Sequence, residues 1–171
     1  MTCLFLAPHH DDECIFGAFS IMRYRPRVAV VYRSVKQEAD GILNEERMEE
    51  TSSALRVLGV TEFEQWQTPD TDTESAGRVT ACVERYKAEH MIDHVFAPAV
   101  EEDGHEQHNI VGQAALDVFG PDHVTQYMTY HRNGWENGFC GKTRSRFEVP
   151  FEPHWPGFNL IAMSHYTTQI A

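Results

Sequence analysis

A Rossmann-like α/β fold, a three-layer sandwich around a mostly parallel sheet, is what this sequence predicts, and three observations predict it. Short apolar runs of strand length alternate with segments of helical periodicity. The connections between them are short. No internal repeat, linker or low-complexity stretch interrupts the alternation. Parallel strands need crossover connections, and the helices in those crossovers cover both faces of the sheet. The 171 residues fit one domain, 1–171, long enough to bury a substantial core.

The first strand is Cys3 to Ala7, an apolar run closed by Pro8. Ile15, Phe16, Phe19 and Met22 recur at helical spacing and predict one helix reaching Tyr24. Arg27 to Arg33, with Val28, Val30 and Val31, is β-branched and strand-like. A polar loop, Ser34 to Leu43, leads to the clearest helix. Asn44 is placed to cap it, Glu45 and Glu46 suit its positive N-terminal end, and Met48, Thr51, Leu55 and Leu58 share one face. Gly59 is placed to stop it. A weak strand, Phe63 to Gln67, precedes a turn at Thr68 to Asp72. Ala76, Val79, Val83 and Tyr86 mark the next helix; His94 to Ala99 is a strand; Ile110, Val111, Ala114, Ala115, Val118 and Phe119 form another amphipathic helix. Val124 to Tyr130 reads as a further strand. From Asn133 to Pro156 the chain is rich in Gly, Pro and aromatics and reads as a functional loop region.

Composition narrows the partners. Apolar residues make up 42% and charged residues 23%, as in ordinary globular chains. A formal charge of −12 argues against nucleic acid, whose phosphates demand clustered Lys and Arg. The densest basic group, Lys142 to Arg146, is short and lies in a Gly-rich stretch. A neutral or cationic small substrate suits the charge better. No segment approaches the roughly 20 apolar residues that span a bilayer, so no membrane partner is expected. The N-terminal stretch, running straight into His9 and His10, does not read as a signal peptide. The four cysteines (Cys3, Cys14, Cys82, Cys140) form no C-x-x-C pair, and Cys3 and Cys82 read as small buried hydrophobes. A reducing, cytoplasmic location is expected.

The chemistry lies in two segments of like architecture. The first is strand, His9-His10-Asp11-Asp12-Glu13, helix. The second is strand, an acidic loop carrying His105-Glu106-Gln107-His108, helix. Loops after parallel strands gather along one sheet edge, where ligands bind. Imidazole and carboxylate suit Zn²⁺, and Fe²⁺ accepts the same donors; a catalytic zinc keeps three protein ligands and a water. A His-x-x-Asp pair from one loop and a His from the other supply that set. Asp11, beside a ligand, is then placed to act as general base on the water. The plainer alternative is that Asp11, Asp12 and Glu13 only favour a helix N-terminus.

These residues resemble those of the PIG-L, or LmbE-like, family of zinc-dependent N-acetylglucosaminyl deacetylases. The family motif Ala-His-Pro-Asp-Asp-Glu appears here as Ala7-Pro8-His9-His10-Asp11-Asp12-Glu13, and His-Pro-Asp-His as His105-Glu106-Gln107-His108. The resemblance implies metal ligation by His9, Asp12 and His108, with Asp11 as general base. It gives His105 the part of stabilising the tetrahedral intermediate or protonating the leaving amine. Arg47, Glu50, Ala54, Leu58 and Gly59 match the family's helix pattern, and Pro69-Asp70 its following turn. By that match Arg47 and Asp70 contact substrate, an N-acetyl amino sugar.

The departures carry consequences. His10 replaces the motif Pro, so His9 and His10 compete as ligand and the loop loses a rigid residue. Glu106-Gln107 replaces Pro-Asp, removing a carboxylate able to orient a neighbouring His. Near the end of the sequence, Asn159 and Tyr166 stand where the family has Lys and His. The short length implies a reduced substrate cap, or a pocket completed by another subunit of a homo-oligomer. Arg47 has a rival reading as a surface ion pair with Glu50 or Asp40, and Asp70 as a turn former. Trp135, Phe139, Trp155 and Phe158 either line a sugar cleft or pack the core. Hydrolysis of an ester or a non-sugar amide, and ligand binding without turnover, remain as rival functions.

Overall fold

The structure, a computed structural model, describes residues 1–35, 44–61, 63–72, 74–129 and 152–170. The described elements run β1 (Cys3–Ala7), α1 (Asp12–Ile15), α2 (Ala18–Tyr24), β2 (Arg27–Arg33), α3 (Asn44–Val57) and β3 (Phe63–Pro69). They continue with α4 (Ser75–Glu89), β4 (His94–Pro98), α5 (Glu106–Phe119), a 3-10 turn at Pro121–His123, β5 (Val124–Tyr127), α6 (Trp155–Met163) and α7 (Thr167–Ile170). Asp40 and most of the Ser34 to Leu43 loop lie outside the described residues. So do Tyr130, His131, Trp135, Phe139, Cys140, the Lys142 to Arg146 group and the rest of the aromatic loop as far as Phe151.

The sheet has the order β3-β2-β1-β4-β5, with every pairing parallel. Alternation along the strands sends side chains into two cores. Cys3, Phe5, Ala7, Val28 and Val30 join Ile21, Met22, Ala54, Leu55 and Leu58 on one face. Leu4, Leu6, Ala29 and Val31 join Val79, Val83, Val111 and Ala115 on the other. Neither face of the central strands meets water, which is why they are apolar throughout instead of alternating. The expected α/β sandwich is thus the observed fold, and no helix among the described residues is long and apolar enough to cross a membrane.

Chain order creates the edge where chemistry can occur. The chain starts on β1, moves outward through β2 and β3, then returns to lay β4 on the opposite side of β1. The connections leaving β1 and β4 therefore diverge, opening a crevice beyond their C-terminal ends.

Several elements differ from expectation. The single helix expected to reach Tyr24 is two, α1 and α2, broken at Phe16 and Gly17. A Cβ on Gly17 would stand 2.2 Å from Phe5 Cζ, so the backbone presses on a buried ring that the helical periodicity does not reveal. Met48 is exposed, and the buried face of α3 is instead Asn44, Arg47, Thr51, Ala54 and Leu55. Asn44 was expected to cap this helix; its side-chain amide pairs reciprocally with that of Gln65, at 2.8 and 3.0 Å. β3 runs on to Pro69 through an irregularity in its pairing with β2 between Val30 and Tyr32. Trp155 begins α6 instead of ending a loop, and it packs against Phe19, with ring centroids 6.4 Å apart.

Gly112 fixes how closely α5 approaches the end of β4. A Cβ there would lie 2.3 Å from the Pro98 carbonyl oxygen, a backbone atom with little room to move. Gly112→Ala gains about 1 kcal/mol of helix propensity, but the overlap costs about 1–3 kcal/mol. Urea denaturation is expected to show a net loss of stability, and a raised midpoint would contradict the close approach.

Candidate metal centre

The two ligand-bearing segments meet in the crevice between β1 and β4. After β1 the chain turns through Pro8, whose carbonyl accepts the Tyr32 N–H at 2.9 Å and anchors the turn to β2. His9 follows, its ring stacked on Tyr32 with centroids 5.6 Å apart. Asp11 caps α1 through its carbonyl, which accepts the N–H groups of Cys14 and Ile15, each at 2.9 Å. Its backbone lies in the left-handed region, φ 97° and ψ −28°. Short polar side chains reach that region more readily than most, yet such a conformation costs of order 1–3 kcal/mol and persists only where its surroundings hold it.

His105 occupies the N-cap position of α5, and Glu106, Gln107 and His108 form its first turn. This corrects the expectation that all four lie in a loop ahead of the helix. Helical geometry fixes the spacing of His105 and His108 and places both on the turn that faces β1. Ring centroids of His105 lie 5.3 Å from His9 and 5.0 Å from His108. Phe16, in the break between α1 and α2, meets the His108 ring edge-on at 6.2 Å.

Three donor atoms converge: His9 Nδ1, Asp12 Oδ2 and His108 Nε2. His9 Nδ1 and His108 Nε2 are 3.2 Å apart. Asp12 Oδ2 lies 3.4 Å from the first and 3.3 Å from the second. Among the described residues these three form the group of His, Cys, Asp and Glu side chains able to hold a metal ion. Asp12 Oδ2 also accepts the His9 backbone N–H at 2.8 Å. Burial works against the Asp12 carboxylate, but hydrogen bonds from His108 and His9 outweigh it and hold the group well below the usual carboxylate range.

The competition between His9 and His10 is decided by side-chain direction. His10 turns inward, 1% exposed, with Nδ1 2.6 Å from Thr51 Oγ1 and Nε2 against the Gln65 amide nitrogen. Burial, and then the charge of Arg47, push its pKa down to about 3, so it stays neutral.

Sequence reasoning missed Gln107. Its Nε2 donates to the Asp70 carbonyl at 2.7 Å, and a carbonyl can only accept, so Oε1 must face His9. That oxygen lies 2.7 Å from His9 Nε2, which therefore carries a proton and leaves Nδ1 as the ring nitrogen that faces Asp12 and His108 and could offer its lone pair to a metal. The amide supplies the orienting acceptor whose loss the sequence implied. Its position next to His108 was the available signal.

Other expected residues have different surroundings. Arg47 is 4% exposed and not a surface residue; its Nη1 donates to Thr168 Oγ1 at 3.0 Å and lies 3.8 Å from Glu50 Oε2. Asp70 Oδ1 accepts the Val35 N–H at 3.0 Å, while its carbonyl holds Gln107. Glu13, fully buried, accepts from the Tyr166 hydroxyl and from the Asp11 N–H. Burial drives its carboxyl up to about 7. Burial, then the charges of Asp12 and Glu13, push Asp11 up to about 8. Three successive carboxylates beside three imidazoles make a setting that favours a cation.

Residues 4–119 match the PIG-L family, described as GlcNAc-PI de-N-acetylase. No curated protein matches the sequence. Among solved structures, an N,N'-diacetylchitobiose deacetylase from Pyrococcus horikoshii superposes with a TM-score of 0.72 at 17% identity, over 98% of this chain and 70% of that one. A triple mutant of a deacetylase from the teicoplanin biosynthetic pathway superposes at 0.75 and 16% identity, covering 99% of this chain and 83% of its own. The zinc-inhibited form of teicoplanin deacetylase Orf2 does so at 0.68 and 15%, covering 99% and 85%. At such identities the likeness shows a common fold.

Gln107→Leu removes the acceptor on His9 and leaves the three donors in place. Divalent-metal affinity, read by competition with a chromogenic chelator, is expected to weaken about 10–100-fold. Unchanged affinity would rule Gln107 out as the group that orients His9.

Proposed function

This chain belongs to the PIG-L family of GlcNAc-PI de-N-acetylases, and from that membership we propose that it is a zinc-dependent hydrolase that removes the acetyl group from the nitrogen of an amino sugar or glycoconjugate. The observation that carries the proposal is the donor triangle of His9, Asp12 and His108, with edges of 3.2, 3.4 and 3.3 Å. Two imidazoles and one carboxylate are donors that suit a catalytic zinc, and Fe²⁺ accepts the same set.

A zinc held by these residues would supply a Lewis acid able to polarise the amide carbonyl and to lower the pKa of a water. Asp11 would take a proton from the attacking water as the water oxygen bonds to the carbonyl carbon. Its place next to the ligand Asp12, at the start of α1, supports that role. His105 stabilises the oxyanion and delivers a proton to the leaving nitrogen; its position beside both His9 and His108 supports this role. The C–N bond then breaks, leaving acetate and a free amine. His9, Asp12 and His108 hold the ion and Gln107 orients His9.

Arg47 and Asp70 form the substrate side of this site. Both already have protein partners, so contact with a sugar would come from atoms beyond those engaged by Thr168, Glu50 and Val35. Residues 1–171 act as one catalytic domain in the reducing cytosol, a setting supported by Cys3, Cys14 and Cys82, which are free thiols among the described residues.

Asp11→Ala is expected to retain its metal and lose at least about 100-fold in kcat, whereas His108→Ala loses metal and turnover together. The assays are metal content and amine release from N-acetylglucosamine derivatives, run across a zinc titration because a zinc-inhibited form of the related Orf2 is known. A metal-replete His108→Ala protein with normal turnover would overturn the ligand assignment. Faster cleavage of simple esters than of N-acetyl sugars would overturn the substrate class.

A further inference from the structure

One closed circuit of buried side chains grips the peptide between His10 and Asp11 from both sides. His10 Nε2 accepts from the Gln65 amide, so the Nδ1 proton is the one directed at Thr51 Oγ1, 2.6 Å away. Thr51 Oγ1 lies 3.1 Å from the Tyr166 hydroxyl, which gives its single proton to Glu13 Oε1. The second Glu13 oxygen accepts the Asp11 backbone N–H at 3.1 Å. From His10 the circuit passes through Thr51, Tyr166 and Glu13 to Asp11, then closes along the main chain.

The circuit ends on the residue that most needs holding. Asp11 has φ 97°, a conformation that a residue with a Cβ keeps only when its surroundings impose it. Its N–H bond to Glu13 fixes the plane of the 10–11 peptide. Once that bond is released, the peptide can rotate towards the right-handed region and carry the Asp11 Cβ with it. Tyr166 comes from the segment after α6, 153 residues from Glu13, and Thr51 comes from α3. Both are buried. The resembling motif has a rigid Pro where this chain has His10, and the hydrogen-bonded circuit supplies the missing constraint through side chains.

We propose that Glu13 and Tyr166 are positioning residues for Asp11: with Thr51 and His10 they hold its backbone left-handed and so set the direction of its carboxylate. This rests on the reading of Asp11 as the general base. The segment following α6 thereby takes part in the reaction without touching substrate.

Tyr166→Phe and Thr51→Val each remove one oxygen and conserve shape. In the full chain loaded with zinc, each is expected to keep its metal content and KM and to lose about 10–100-fold in kcat. The double variant should be no worse than the weaker single, because either substitution opens the same circuit. A crystal structure of Tyr166→Phe should show Asp11 at negative φ. Unchanged kcat in both variants, losses that multiply in the double, or an Asp11 still left-handed would overturn the inference. If Tyr166→Phe does not fold, Thr51→Val provides the same readings. A zinc-loaded wild type without deacetylase activity would defeat the functional reading instead, and the Asp11 conformation in the variant would then decide this inference alone.

Discussion

Asp12 Oδ2 is the atom on which the structure depends. It belongs to a carboxylate only 2% exposed, and it meets a backbone N–H and two imidazole nitrogens carried by residues 99 positions apart. A buried charge survives only with such partners, and removing one leaves the rest costly. The fold satisfies this need by laying β4 against β1 although β2 and β3 come between them in sequence. In any order that separated β1 from β4, His108 could not reach Asp12.

Around that atom the fixing groups come from every strand end nearby. Gln107 links His9 to the Asp70 carbonyl at the end of β3, so three strand ends share one chain of hydrogen bonds. Gly112 lets α5 settle onto Pro98 and sets the height of His108 above the sheet. Strain and buried charge are concentrated in residues 11–13, while the surrounding strands are uniformly apolar and well paired. That division is expected where a site is built at the expense of local stability and the scaffold offsets it.

Three of the motif positions at which this chain departs from the family pattern have become hydrogen-bonding positions. His10, in place of Pro, is tied to Thr51 and Gln65; Gln107, in place of Asp, still accepts from His9; Tyr166, in place of His, donates to Glu13. Each of these three trades one means of constraint for another.

Much of the fold was legible because strands buried on both faces are short apolar runs and helices carry their own period. Cys3–Ala7 and Arg27–Arg33 needed nothing further. The break at Gly17 was hidden because apolar spacing continues through Phe16 and Phe19, while its cause, the Phe5 ring, lies on a strand. The exposure of Met48 and burial of Arg47 were hidden for a similar reason: Arg47 is buried by Thr168 and Glu50, and sequence gives no distance between α3 and the C-terminal segment. By itself the sequence determined the α/β alternation, the two donor-bearing segments and the residue types available for a metal, since these follow from local pattern and side-chain chemistry. Only the tertiary structure decided that His9 and not His10 joins Asp12 and His108, that Gln107 fixes the His9 tautomer, and that Glu13 and Tyr166 brace Asp11. Those outcomes depend on side-chain direction and on contacts between distant segments, which no periodicity encodes.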